Sequence, residues 1–206
     1  MRTFLLAAAL IALSSASPAE EPEAPAPPSV SLFPGTENPQ IKQCADGAAY
    51  IYKDHMILVK ETPGAPGQEM DIYEPPPQDP CGPGRGAKYL TVPPGGADYF
   101  SGVSGGYLFI DQGTGPSYRT LSIFDMEKKT YPLRAVPYED ALIKDGIFTY
   151  YETLDEVEGT LAKVPCPRAA EWKRQGLNVA YEEQMSFDLR TGKLTPLRRY
   201  RCSPAQ

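Results

Sequence analysis

The sequence predicts an all-β protein: an antiparallel meander of three similar units forming a barrel or sandwich, with propeller-like blades as the alternative, and one short helix in an insertion. Three observations carry this. The first is a strand pair that occurs three times: Met56-Ile57-Leu58-Val59 with Asp71-Ile72-Tyr73-Glu74, Tyr107-Leu108-Phe109-Ile110 with Ser122-Ile123-Phe124-Asp125, and Ile147-Phe148-Thr149-Tyr150 with Ser186-Phe187-Asp188. A self-similarity of about 50 residues marks stacked or meandering units. The second is the short runs of β-branched and aromatic residues, separated by glycine and proline, of which the chain holds 18 and 23. The third is spacing: the first two pairs share one spacing and the last is much longer, so the third unit carries an insertion.

Taken in order, Met1-Arg2-Thr3 followed by the apolar run Phe4 to Leu13 and small residues up to Ala19 predicts a secretory signal peptide over residues 1–19, cleaved after Ala16 or Ala19. An apolar run of about 10 residues is too short to span a bilayer, so no transmembrane segment is expected in the mature chain. Residues 20–40, rich in Pro, Ala and Glu, bury too little to offset their ordering entropy and predict a disordered arm. The rest, 41–206, has the length of a single β-rich domain.

Strands are predicted at Ala48–Tyr52, Met56–Lys60, Glu69–Tyr73, Tyr89–Val92, Tyr107–Asp111, Thr120–Phe124, Thr130–Arg134, Ile147–Glu152, Thr160–Val164, Glu183–Asp188 and Leu194–Arg201. Asp125 and Asp188 end strands before turns, where their side chains can accept from turn amides. The insertion covers about Asp155 to Ala180. Within it, Pro167 to Gln175 followed by Gly176 predicts the helix, with Pro near its start and Gly beyond its end. A second helical turn is expected over Pro137 to Ile143.

The four cysteines of an exported chain predict two disulfides, and the nearly equal separations favour Cys44 with Cys81 and Cys166 with Cys202. No metal site is expected, because Cys-x-x-Cys is missing and His55 is the one histidine. No sequon of the Asn-x-Ser/Thr type occurs, which favours a bacterial periplasmic or secreted location.

Catalytic patterns are weak. Gly102-Val103-Ser104-Gly105-Gly106 has the G-x-S-x-G spacing, but a strand follows it where a nucleophile elbow needs a helix, and it reads as a glycine-rich loop between units. Cys81 to Lys88 has the glycines and lysine of a phosphate loop without its spacing. The carboxylates Asp71, Glu74, Asp79, Asp98, Asp111, Asp125 and Asp188 sit mostly at strand ends and turns, and no linear spacing pairs them for glycoside hydrolysis. Tyr73, Tyr107, Tyr150 and Tyr200 are candidates for sugar stacking or for strand packing alone.

Charge is distributed unevenly. Net charge is −6, yet residues 160–206 hold 9 Lys and Arg against 4 Asp and Glu. Arg168, Lys173 and Arg174 fall on the predicted helix and Arg198, Arg199 and Arg201 on the last strand, so a bridge from Cys166 to Cys202 would gather a basic patch beside Trp172 and Tyr200. An acidic exported chain is a poor ligand for nucleic acid. The expected activity is therefore non-enzymatic binding of a macromolecular partner or anionic envelope component, whether envelope protein, glycan or lipid headgroup, with no cofactor. A periplasmic hydrolase with a carboxylate or Ser104 centre is the alternative.

Overall fold

A computed structural model describes residues 32–83, 85–92, 95–113, 119–137, 139–154 and 164–205, so the signal segment and most of the expected arm lie outside the described residues. The chain forms three antiparallel sheets. The first holds β1 (Gln40–Cys44), β2 (Gly47–Ile51), β3 (Met56–Glu61), β4 (Gln68–Tyr73) and β5 (Leu90–Val92). The second holds β6 (Asp98–Ser104), β7 (Tyr107–Gln112), β8 (Thr120–Asp125) and β9 (Thr130–Pro137). The third holds β10 (Leu142–Lys144), β11 (Ile147–Thr153), β12 (Asn178–Asp188) and β13 (Lys193–Ala205), with α1 (Ala169–Arg174) between β11 and β12. Strand order follows chain order in every sheet, as short hairpin connections require.

The repeated pairs are the central strands of the three sheets, with Met56 opposite Tyr73, Tyr107 opposite Asp125 and Ile147 opposite Asp188. Asp125 accepts the Lys128 amide at 2.8 Å, and Asp188 accepts those of Arg190 and Thr191 at 2.8 and 3.2 Å, so both acids cap their turns. The hairpins entering the second and third sheets are also equivalent. Gly105 (φ 58°) with Gly106 (φ 81°), and Asp145 (φ 53°) with Gly146 (φ 76°), form two-residue turns with two positive φ angles, whose twist matches that of the flanking strands.

The sheets stack face to face and do not close into a barrel. Val103, Leu108, Ile110 and Phe124 of the second sheet pack with Tyr50, Ile57, Met70 and Ile72 of the first. From its other face, Tyr107, Phe109, Leu121 and Ile123 pack with Phe148, Tyr150, Met185 and Phe187 of the third. The middle sheet is thus covered on both faces. Beyond the first sheet, the segment after β4 is tied back by the Cys44–Cys81 disulfide and by Arg85, which grips Asp46 through two bonds of 2.7 Å.

Several expectations change. Gly102–Gly106 lies inside the second unit, as the end of β6 and its turn, because Gly105-Gly106 suits a tight hairpin and not an inter-unit loop. The described residues of the stretch Pro137 to Ile143 hold no helical turn: Asp140 adopts φ 63° and the chain enters β10, which pairs with β11. β12 begins at Asn178, inside the expected insertion, since β13 continues to Ala205 and supplies a partner along that whole length. Residues 160–163 of the strand expected at Thr160–Val164 are outside the described residues, and Val164 is not in a strand. The described residues upstream of Ile41 also pack on the body, since Phe33 is buried between the second and third sheets.

Candidate functional site

The C-terminal unit is built on α1, β12 and β13. Two alanines favour helix, Glu171 lies in the first turn, and Lys173 and Arg174 lie in the last, where cations meet the helix's negative end. Gly176 stops α1 at φ 78°, its amide bonding the Lys173 carbonyl at 3.1 Å while the Leu177 amide bonds that of Trp172 at 3.0 Å. The Cys166–Cys202 disulfide ties the helix start to β13, and α1 packs on β12 and β13. Helix and strand cations therefore share one cross-linked unit, as the sequence implied.

Their states differ. Trp172 is buried, with Arg168 over its ring at 5.3 Å and paired to Glu171 at 3.1 Å. Arg201 lies over Tyr151 at 3.7 Å, pairs with Glu182, and reaches Asp140 at 2.6 Å; these two acids hold its guanidinium in the charged form despite partial burial. Trp172 is thus packed inward and Arg201 is paired within the unit. Lys173, Arg174, Arg198, Arg199 and Tyr200 are exposed, Tyr200 to 41%. Among the described residues these four cations make no ion pair.

Arg198 and Arg199 sit on an irregularity. Glu183 pairs with Tyr200 and Met185 with Pro196, so Leu197, Arg198 and Arg199 stand opposite Gln184 alone. Arg198 takes φ 54°, uncommon for a non-glycine residue, and its amide is diverted from the ladder to the Glu183 carboxylate at 3.1 Å. Bulges of this kind re-aim side chains.

The other sequence candidates are placed as follows. Ser104 pairs with Tyr107 and so faces the third sheet, whereas His55 stacks on Tyr52, which packs between the first and second sheets. The two are therefore on opposite sides of the middle sheet and form no dyad. Asp71 is fully buried, bonded to Lys60 at 2.5 Å, Lys88 at 2.9 Å and Thr91 at 2.6 Å; burial pushes its carboxyl up, but these three donors outweigh it and leave the group below its ordinary value. Asp79 accepts the Cys81 amide and pairs with Lys42, and Asp111 pairs with Arg119. Of the four tyrosines, Tyr73, Tyr107 and Tyr150 are buried, and Tyr200 alone of them is exposed.

Pro132-Leu133-Arg134 reads in sequence as an ordinary strand end, but Leu121 pairs with Val136 and Ile123 with Leu133, so Arg134 stands in a bulge of β9 that leaves no signal in composition. Among the described residues no group of His, Cys, Asp and Glu could hold a metal ion, and no helix is long and apolar enough to cross a membrane. Comparison of the chain with family models, with curated proteins and with solved structures gives no match.

Proposed function

We propose that this is an exported, non-enzymatic β protein of a bacterial periplasm or secretome, whose C-terminal unit binds an anionic component of the cell envelope. The observation that carries the reading is the Arg198-Arg199 bulge, which presents two exposed guanidinium groups with no ion pair among the described residues, beside exposed Tyr200. Guanidinium suits carboxylate and phosphate because its donors form a planar fork. Lys173 and Arg174 on the same disulfide-tied unit extend the positive field. The acidic remainder of the chain leaves this region as the one that favours an anion. Two disulfides fit an oxidising compartment.

The test is co-sedimentation of the oxidised protein with phosphatidylglycerol vesicles and, separately, retention on immobilised polyuronate, which distinguishes phosphate headgroups from carboxylate glycans. Near an anionic surface each basic residue contributes about 1 kcal/mol, so R198Q/R199Q should bind the favoured probe about thirtyfold more weakly. Binding of that probe should also fall steeply with salt. Equal binding by wild type and variant in low salt would sink the reading.

A further inference from the structure

A second, separate feature lies on the middle sheet. A cavity of about 360 Å³ opens beside its face toward the first sheet, lined by Asp98, Gln112, Ser122, Tyr131, Arg134 and Ala135. That volume falls in the range of small-molecule sites, roughly 300–1,000 Å³. A hydrogen-bonded row crosses its wall through all four strands. The Gln112 side-chain amide donates to Asp98 at 2.8 Å, Ser122 donates to the Gln112 side-chain oxygen Oε1 at 2.6 Å, and the Ala135 amide donates to the Ser122 hydroxyl at 3.0 Å.

The last bond exists because β9 bulges. Leu121 pairs with Val136 and Ile123 with Leu133, so Arg134 and Ala135 together face Ser122, and Ala135 is held at φ 50°. The bulge turns Arg134 back over Tyr131, with its guanidinium carbon 4.0 Å from the ring centroid, while the ring's edge packs against Phe124. A strained non-glycine backbone that aims a cation at a cavity is a feature whose energetic cost calls for a use.

The two charges of the cavity are held apart. Asp98 is 3% exposed and, among the described residues, receives only neutral donors, the Gly95 amide at 2.8 Å and the Gln112 side chain. Arg134 is exposed. Among the described residues neither takes part in an ion pair, although both line the same space. Both act on Tyr131: burial raises its phenol above the ordinary value, Asp98 raises it further, and Arg134 pulls it down. A buried carboxylate with spare lone pairs and no cation is costly alone and favours a positively charged guest.

We propose that this cavity binds a small zwitterion of the α-amino-acid type, with its ammonium on Asp98 and Gln112 and its carboxylate on the Arg134 guanidinium. Tyr131 and the Ser122–Gln112 row fix the separation of the two ends. The site is independent of the C-terminal surface, since none of its lining residues lies in residues 160–206.

A thermal-shift screen of the standard amino acids at millimolar concentration, followed by calorimetry on the best of them, tests this. At least one should bind. Arg134→Gln changes an exposed residue and should weaken binding by about tenfold to a hundredfold, the loss of a charge-assisted contact, with Arg134→Lys restoring part of it. The N-acetyl derivative of the same amino acid removes the ammonium without altering the protein, and should lose affinity by a similar factor; this covers the Asp98 end even where Asp98→Asn fails to fold. The proposal is overturned by a panel in which no amino acid binds, by full affinity in Arg134→Gln, or by an N-acetyl derivative that binds as well as its parent. R198Q/R199Q should leave this binding unchanged, so the two readings fail separately.

Discussion

His55 shows how far a single residue can mislead in sequence and inform in structure. It is the one histidine of the chain, but its ring stacks on Tyr52 at 4.8 Å, and among the described residues its buried Nε2 has no hydrogen-bond partner. Burial pushes its pKa down against the opposing pull of Glu37, Glu74 and Asp54. The unfolded chain takes up a proton near the ordinary value of about 6.5 and the folded chain resists doing so. The sign follows: this contribution to stability is complete above the unfolded pKa and is lost as pH falls from there toward the folded pKa. His55→Phe keeps a ring against Tyr52 and removes the titration. Urea midpoints measured from about pH 7 down to pH 5 should therefore fall less in the variant than in wild type. Parallel declines would show that His55 contributes nothing to the slope.

At the scale of elements, much was legible because periodicity records how a strand is covered. Met56-Ile57-Leu58-Val59 and Tyr107-Leu108-Phe109-Ile110 are continuous apolar runs, and both are buried at every position, since the middle sheet has neighbours on both sides and the first is closed by the Cys44–Cys81 segment. In β11, by contrast, burial alternates along Ile147-Phe148-Thr149-Tyr150-Tyr151, with Phe148 and Tyr150 turned inward. The helix was legible from Pro167 and Gly176, and the turn acids from their place after the strand. β1, β6, β10 and the bulges at Arg134 and Arg198 were not. Bulges depend on register, which is settled between strands and leaves no local mark, so the surroundings of Arg134 and Arg198 appear only in three dimensions. The Gly105-Gly106 turn reads in sequence as an inter-unit loop because the G-x-S-x-G spacing around Ser104 overlies the hairpin signal of the dipeptide. Its two glycines make different predictions. A Cβ at Gly106 would meet nothing within 4 Å, so Ala there costs only the positive-φ penalty, about 1–2 kcal/mol. A Cβ at Gly105 would lie 2.9 Å from the backbone oxygen of Leu189, which cannot swing aside as a side chain would. Gly105→Ala should accordingly destabilise more than Gly106→Ala in denaturant unfolding, even though φ 58° at Gly105 is the easier angle for alanine. The reverse order would mean that the two sheets are not in close contact at this turn.

At the scale of the whole molecule, what holds three separately hydrogen-bonded sheets in one stack is side-chain packing across two interfaces, and the second interface has an added clamp. The segment before β1 runs between the middle and third sheets. The Phe33 amide bonds the Ser101 carbonyl at 2.7 Å, the Glu37 amide bonds that of Val103 at 2.8 Å, and the Phe33 ring stacks on Phe109 and meets Phe148 edge-on, with centroids 5.8 and 5.9 Å away. Gly35 lies so close to β10 that a Cβ would come within 2.6 Å of the Ile143 oxygen, so the segment touches both sheets at once. No aromatic residue of this segment enters the other interface, where Tyr50 meets Phe100 directly. Phe33→Ala should therefore act unevenly: a global cost of about 3–5 kcal/mol for an emptied aromatic site, with loosening concentrated where the third sheet meets the middle one. Native-state hydrogen exchange reads this out by strand. Amides of β11 and β12 should lose protection by a larger factor than those of β3 and β4, because subglobal opening of the third sheet becomes easier than global unfolding. Equal loss in all three sheets would mean instead that the stack opens as one cooperative unit and that Phe33 is an ordinary core residue.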